Sequence, residues 1–440
     1  MKTEIKQNGG SAILPGLNFN SKPPVLDSIQ QAQFVEYRPI NTVTPNTPMD
    51  FIINGSSDYI DMSRSMLAVK FKITNLDDTP TVVAERLSII NLGLESLFSH
   101  VEIYLNGTLV SPSVNNFPIK AMIKTMLEYS GGVKLTKLKA LGYYADTPLF
   151  FEDTDPLASF NDGMKDRSAL IVGSKDVTFY GPLMADVLGI KKWLVGGVDL
   201  HIRLTPSSPE FFLVKPADNA KTYKINLIDT FFHACKVTPE PGVLIQQNLA
   251  LLHKPIEYHY ERERTQIYNL KAGSLSMVED NVFSFDAPSK IVVAFISALG
   301  FNGSYQKNPF NAQHANVSSI AIYKEGISLP ALPMRLNFTD GKQDFMQAFY
   351  NLYTGYNTDR DKEDDNGITP VAFEGGVGFY VFDMKAGYNT NYDVLPERKN
   401  IRIESYFRTG LPEDIVCLVY GIFPDKFTVN ASRLVTPTPR

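Results

Sequence analysis

One pattern occurs twice in this chain, about half its length apart, and it limits the folds that the chain can adopt. The copies are Ser99–Ser111 and Ser318–Pro330, which begin 219 residues apart. In each copy apolar and polar residues alternate and a turn follows, which is typical of a half-buried β-strand that enters a hairpin. The first turn is Asn106-Gly107, and both residues tolerate the positive φ of a type I′ turn. The sequence therefore predicts two similar hairpins in two similar halves.

An amphipathic helix is predicted after each hairpin. Its apolar residues follow the helical spacing i, i+3, i+4, i+7 and i+8. They are Ile119, Met122, Ile123, Met126 and Leu127 in the first half, and Phe345, Ala348, Phe349, Leu352 and Tyr353 in the second. On this alignment Ile123 is equivalent to Phe349, and Lys124 and Asn351 lie on the outward faces. Gly131 and Gly355 stand where a glycine commonly ends a helix. The hairpin, the helix and the glycine predicted to end the helix recur in the same order, which indicates two tandem copies of one unit.

Length and turn content then predict the fold class. A chain of 440 residues exceeds one ordinary core and suits two domains of about 200 residues each. Its 28 prolines and 29 glycines favour many short strands joined by turns. Strand–helix alternation is too sparse for a parallel α/β sheet. We predict an all-β protein of two tandem eight-stranded antiparallel jelly rolls, a double jelly roll, with short helices in the inter-strand loops.

Segments rich in proline and glycine predict the domain limits. The clearest break is Thr238–Gly242, which contains two prolines and a glycine. Val243–Lys254 is predicted to be a short helical connector, and Ile256–Tyr268 a pair of strands. We predict an extended N-terminal arm over residues 1–30, a first jelly roll over 31–237, a linker over 238–254, a second jelly roll over 255–430 and a polar C-terminal tail over 431–440.

Acidic residues concentrate in two loops. Ala145–Arg167 is long and rich in Asp, and loops of this length are usually functional or exposed. Asp359–Gly367 resembles a calcium loop, but Asp364 stands where an EF-hand requires glycine. We interpret this second loop as a solvated surface segment. The net charge of −5 disfavours sequence-independent DNA binding, which needs clustered Lys and Arg.

No residue is predicted to be catalytic, to hold a cofactor or to ligate a metal. The chain has no phosphate-binding loop, zinc-protease motif, nucleophile elbow or Cys-x-x-Cys motif. His253 and His259 are loose neighbours, interpreted as solvent-facing or hydrogen-bonded residues. Cys235 and Cys417 lie in apolar runs and are predicted to be buried free thiols in a reducing compartment. Without an apolar signal core or a spanning segment, we expect a soluble protein that is not secreted.

Four segments resemble the major capsid (hexon) protein of adintoviruses and Polinton-type elements. They are Phe34–Ile40, Ser57–Asp61, Ser99–Gly107 and Phe301–Asn311, and the resemblance runs from about Phe34 to Val429. It implies a double jelly roll that forms homotrimers, which are pseudo-hexagonal capsomers tiling an icosahedral shell. It also implies a place in the virion, contacts with neighbouring capsomers, a penton and minor capsid proteins, and no catalytic site, cofactor or direct sequence-specific nucleic-acid binding.

Two other classes remain as alternatives. The first is a glycan- or receptor-binding β-sandwich, such as a spike or lectin, which would usually be secreted. The second is a β-sandwich glycoside hydrolase, which would show a cleft with two facing carboxylates. Native mass separates these readings, because a compact trimer favours the capsomer.

Overall fold

The computed structural model describes residues 28–41, 47–111, 116–284, 286–339, 344–355, 366–384 and 397–438. In the first half, eight principal strands form two four-stranded antiparallel sheets. They are β1 (Ile29–Tyr37), β2 (Met49–Ile53), β3 (Tyr59–Asn75), β4 (Phe98–Leu105), β5 (Thr108–Ser111), β6 (Val177–Gly181), β7 (Leu200–Pro206) and β8 (Tyr223–Pro239). The sheets have the orders β1-β8-β3-β6 and β2-β7-β4-β5.

The second half repeats this arrangement. Its principal strands are β9 (Ile256–Leu270), β10 (Ser276–Glu279), β11 (Lys290–Ser297), β12 (Val317–Lys324), β13 (Ile327–Arg335), β14 (Tyr380–Asp383), β15 (Ile401–Phe407) and β16 (Ile415–Val429). Their orders are β9-β16-β11-β14 and β10-β15-β12-β13. Each strand thus has the neighbours of the strand eight places earlier, so both halves are jelly rolls and the predicted double jelly roll is confirmed.

Short strands supplement these sheets. Ala312–Gln313 pairs with β11 and with Gly375–Gly376, and Val435–Pro437 pairs with β16. Two further pairs are Ser88–Ile89 with Leu213–Val214, and Asp286–Ala287 with Glu397–Arg398. The strand at Val435–Pro437 lies where the sequence predicted only a polar tail, because Val435 is buried against the second roll.

Helices occupy the connections between strands. They are α1 (Gly93–Ser96), α2 (Phe117–Glu128), α3 (Gly131–Leu135), α4 (Asp162–Ile171), α5 (Pro209–Phe212), α6 (Pro241–His253), α7 (Ala298–Asn302), α8 (Met346–Thr354) and α9 (Pro370–Glu374), with 3-10 turns at Val83–Glu85, Lys137–Leu141 and Val187–Gly189. α2 and α8 both follow the fifth strand of their roll, as predicted. α6 joins β8 to β9, which confirms the predicted helical connector.

The two hairpin turns adopt the conformation that their residue types predict. In the first, Asn106 and Gly107 have φ values of 46° and 75°; in the second, Glu325 and Gly326 have 52° and 80°. Both turns therefore carry the two positive φ angles of a type I′ hairpin. In the strand that precedes the first turn, Val101, Ile103 and Leu105 are buried, as period-two alternation requires.

Two local predictions were wrong. Ile256–Leu270 is one strand and not two, because it pairs without interruption along β16. Gly131 begins α3 and does not end α2, whose C-cap is Tyr129. Gly355 is the C-cap of α8, as predicted; its backbone is right-handed, and an added Cβ would lie 2.8 Å from the Asn351 carbonyl oxygen.

The helix alignment was also wrong, by three residues. α2 follows the N-cap Asn116 and α8 follows the N-cap Phe345. Seven residues after each cap come Ile123 and Leu352, which are 1% and 0% exposed. Phe349 is only partly buried. The equivalent of Ile123 is therefore Leu352, which lies three residues after the predicted equivalent, Phe349.

Candidate functional site

A set of polar contacts lies between the two rolls, and we call it the inter-roll seam. From the second roll it uses Phe301–Asn311, the segment that carries much of the resemblance. Asn308 is buried, and its Nδ2 donates to the Phe151 carbonyl oxygen at 3.0 Å. Asn311 Nδ2 donates to Glu152 Oε1 at 2.7 Å. Two consecutive residues of the first roll are thus held by side-chain amides of the second.

Aromatic side chains extend the seam toward α5. The rings of Phe310 and Phe211 meet edge to face with centroids 6.4 Å apart. The ammonium group of Lys215 lies 4.5 Å from the centroid of Tyr305, and the Lys215 amide donates to the Tyr305 carbonyl oxygen at 3.0 Å. Gly303 has a φ of 96° and passes close to Phe211. A cation over an aromatic face adds electrostatic attraction to this packing.

The first roll presents its side of the seam on the long acidic loop, which is only partly exposed. The Asp146 and Arg167 side chains are 2% and 3% exposed and form an ion pair with a 2.6 Å separation. Arg167 also donates to the carbonyl oxygens of Ile89 and Tyr144. Asn161 Nδ2 donates to Asp146 at 2.9 Å. A buried ion pair whose remaining donors are satisfied fixes the loop in one position.

A second charged contact crosses from α2 to β9. Lys124 Nζ lies 2.8 Å from Glu263 Oε1, and Lys120 Nζ lies 3.9 Å from Glu263 Oε2. The Glu263 side chain is only 4% exposed. Burial lowers the pKa of Lys124, but the charges of Glu263 and Glu128 raise it by more, so this pKa lies above its usual range. The prediction that Lys124 faces outward was wrong, because its partner comes from the other half.

Two acidic groups are buried beside this contact. Glu95 of α1 is 0% exposed, and burial raises its pKa to about 8 although the Met184 amide donates to it at 3.1 Å. Its Oε2 has no hydrogen-bond partner among the described residues. Burial also raises the pKa of Asp186, which accepts hydrogen bonds from Ser111 Oγ and the Val187 amide. These groups make the region around α2 sensitive to protonation.

The C-terminal segment of the second roll returns to the first. The Arg433 carbonyl oxygen accepts from Asn106 Nδ2 at 2.8 Å. Its guanidinium donates to Asn248 Oδ1 of α6 at 2.8 Å. The hairpin residue Asn106 therefore has two roles, since it also forms the turn.

Two pockets open along the seam. The first is about 400 Å³, and its lining includes Phe151, Glu152, Asn311, His314 and Glu374. The second is about 290 Å³ and mostly apolar, with Met122, Met126, Tyr143, Phe310 and Phe379 among its lining residues. Burial raises the pKa of Glu152, which is bound by Asn311 and lies 3.8 Å from Lys307. Glu152 thus contributes to the contact between the rolls.

The residues considered for chemistry from the sequence are dispersed. His253 is the exposed last residue of α6, and His259 on β9 lies 3.2 Å from Glu257. Cys235 and Cys417 are buried free thiols, as predicted, and burial raises the pKa of both. Asp359–Asp365 lie outside the described residues. Within the described part of the chain, no three His, Cys, Asp or Glu residues group as metal ligands, and no helix is long and apolar enough to cross a membrane.

Exposed apolar side chains mark the outer surfaces. In the first roll they include Val82, Val83, Leu149, Leu157 and Phe160; in the second they include Leu275, Val278, Ile327, Leu332 and Tyr406. Arg86 follows Val82 and Val83, and Asp155 precedes Leu157 and Phe160. The Arg86–Asp155 ion pair, with a separation of 2.9 Å, therefore holds these two parts of the first roll together.

Sequence reasoning did not identify the seam or its residues. Asn308 and Asn311 belong to the segment that carries the resemblance, and nothing in the sequence around them indicates a contact with the other roll. Glu263 stands in an alternating polar strand and gives no sign that it is buried. Its burial depends on α2, which lies far away in the sequence.

Comparisons with known proteins agree with this fold. No protein-family model matches the chain. An uncharacterized protein of Caenorhabditis elegans, F54H12.2, is 21% identical over 423 residues, covering 93% of this chain and 98% of that protein.

Two solved structures share the architecture over nearly the whole chain. A chain of the Sputnik virophage, solved by cryo-EM, has a TM-score of 0.60 and 12% identity, covering 99% of this chain and 94% of that chain. The mavirus major capsid protein has a TM-score of 0.57 and 12% identity, covering 99% of this chain and 96% of that chain. The chain thus has the double jelly-roll fold found in virophage capsid structures.

Proposed function

We propose that this chain is a major capsid protein of the adintovirus or Polinton type, which trimerises into pseudo-hexagonal capsomers. The observation that carries this proposal is the identical strand order of the two rolls, held together by a buried seam. Three such chains around one axis present six similar domains. A block of this kind can pack among six neighbours in an icosahedral shell built from one gene product.

The surface chemistry supports an assembly role. The exposed apolar residues lie on loops and sheet edges of both rolls, where they can contact neighbouring chains. We propose that the partners are two further copies in the trimer, adjacent capsomers, a penton and minor capsid proteins. The proposed location is the virion. With a net charge of −5, direct sequence-specific nucleic-acid binding forms no part of this proposal.

We propose a structural role without catalysis. The carboxylates of Asp146, Glu263 and Glu152 all contact residues that join loops or rolls. Such contacts suit side chains that stabilise the fold. The structural neighbours that share the fold include a major capsid protein.

Native mass of the purified full-length chain tests the proposal. We expect a single species of about three chains of 49.1 kDa, with pseudo-sixfold particles in electron micrographs. At raised protein concentration these particles should form sheets or shells. A stable monomer that never associates would contradict the proposal and favour a glycan- or receptor-binding β-sandwich. Hydrolysis of a glycoside by that monomer, lost on substitution of Glu152 or Glu374, would favour the hydrolase alternative.

A further inference from the structure

The linker helix α6 exposes an apolar stripe. Ile245, Leu249 and Leu252 are 60%, 55% and 69% exposed, while Leu251 is 5% exposed and faces the protein. Residues spaced by three and four positions lie on one side of a helix. The helix therefore has one apolar side packed on the fold and a second apolar side directed to solvent. Such a surface on a helix indicates a binding partner.

The N-terminal arm leaves the fold beside this helix. Ile29 pairs with Pro239, and the Ser28 carbonyl oxygen accepts from the Glu240 amide at 3.0 Å. Glu240 is the N-cap of α6. Residues 1–27 are therefore tethered at the first turn of the helix that bears the stripe.

The arm contains an apolar cluster of matching size. Ile13, Leu14, Leu17 and Phe19 fall within seven residues of this segment. Phe19 lies nine positions before Ser28, and nine extended Cα-to-Cα steps reach about 30 Å. The helix from Pro241 to Leu252 is only about 17 Å long. The cluster can therefore reach every part of the stripe on its own chain.

We propose that residues 13–19 of the arm bind the exposed stripe of α6 in the same chain. Three side chains offer much less than the ~800 Å² per partner that a stable interface between two proteins buries, which disfavours a second copy as the occupant. A tethered segment needs less area, because a short flexible linker gives an effective concentration of about millimolar. This inference does not depend on the proposed function.

Disulfide trapping in the full-length chain tests this inference. Single cysteines replace Leu14, Leu17 or Phe19, each combined with Leu249→Cys on the stripe or with Gln247→Cys as control. Gln247 is also exposed but lies roughly 140° or more around the helix from each residue of the stripe. The native thiols of Cys235 and Cys417 are buried and can stay. We expect at least one Leu249 pair to form an intrachain disulfide about ten times faster than its Gln247 control.

Non-reducing gels separate the outcomes. An intrachain product runs at the mass of one chain, and mass spectrometry identifies the linked peptides. Equal rates for the Leu249 and Gln247 pairs would overturn the proposal, because they would show that the arm does not bind the stripe. A product at twice the chain mass would also overturn it, since the occupant would then come from a second copy. The single variant Leu249→Cys identifies that occupant: if it also forms the dimer, the occupant is a neighbour's α6, and otherwise it is a neighbour's arm. Melting temperatures within about 2 °C of the parent confirm that each variant is folded.

Discussion

The ion pair between Lys124 and Glu263 joins a helix of the first roll to a strand of the second. Because the Glu263 side chain is only 4% exposed, removing its close partner leaves a buried charge poorly compensated. Lys120, at 3.9 Å, is too distant to replace the lost hydrogen bond. We expect Lys124→Met to lower the free energy of unfolding by about 3 kcal/mol, measured by urea denaturation.

Two further variants test the cause of that loss. The exposed Lys137→Met removes the same charge elsewhere and should change stability by less than about 0.5 kcal/mol. Lys124→Met combined with Glu263→Leu should recover much of the stability, because no buried charge remains. A double variant no more stable than Lys124→Met would show that the loss arises from packing and not from the charge.

Glu95 makes stability depend on pH. Its pKa is raised from 4.5 to about 8 in the folded protein because the side chain is buried. The folded state therefore binds the proton more tightly than the unfolded state does. The resulting stability is fully present below about pH 4.5 and is lost as pH rises through about 8.

Glu95→Gln removes this dependence while its amide oxygen can still accept the hydrogen bond from Met184. Denaturation at about pH 5, 7 and 9 should show the parent losing stability relative to Glu95→Gln at each step upward. A constant difference between the two proteins across this range would show that Glu95 does not titrate as its burial requires.

At the scale of elements, α2 and α8 provide a test of the duplication. Ile123 and Leu352 occupy the same position counted from their N-caps, and both are fully buried. A carboxylate at either position would lose the packing of a core residue, about 2–5 kcal/mol, and would be buried without a partner. We expect Ile123→Asp and Leu352→Asp each to abolish soluble protein.

Phe349→Asp supplies the contrast on the same helix. Phe349 is only partly buried, against Phe373 and Tyr353, so a carboxylate there can reach water. We expect this variant to remain soluble with a lowered melting temperature. If Phe349→Asp fails and Leu352→Asp folds, the alignment through the caps is incorrect.

The sequence predicted those features of the fold that depend on neighbouring residues. Alternation around Val101 and the Asn106-Gly107 turn are local, so strand and hairpin followed from them. The side of α8 that is buried did not follow from the sequence. The apolar residues near Phe349 fit two faces of the helix, and only packing on the sheet selects Leu352. The burial of Lys124 and Asn308 could not be predicted, since each has its partner more than a hundred residues away.

At the scale of the whole molecule, the two rolls share one core. Among the described residues, nearly all buried apolar side chains belong to one cluster that runs from Met49 in the first roll to Val435 beyond the second. Tyr258 of β9 receives a hydrogen bond from the Val195 amide and donates to the Trp193 carbonyl oxygen. A chain with a continuous core is expected to unfold as one cooperative unit.

Asn308 tests whether the seam holds this unit together. Its Nδ2 donates to the Phe151 carbonyl oxygen, and its Oδ1 accepts from the Phe310 amide at 2.9 Å. Asn308→Asp keeps the shape and the second bond, but it places a carboxylate oxygen against the Phe151 carbonyl in a buried site. The lost bond and the repulsion should together cost about 2–4 kcal/mol.

The matched control is Gln306→Glu, which adds the same charge at an exposed position two residues earlier and should leave stability unchanged. Unfolding of both variants is followed by urea denaturation, with hydrogen exchange reporting on β3 and β11 separately. Because the seam couples the rolls, Asn308→Asp should let one roll open at lower urea than the other, although the parent opens both together. If Asn308→Asp instead lowers the stability of both rolls equally and keeps a single transition, the shared apolar core and not the polar seam couples them.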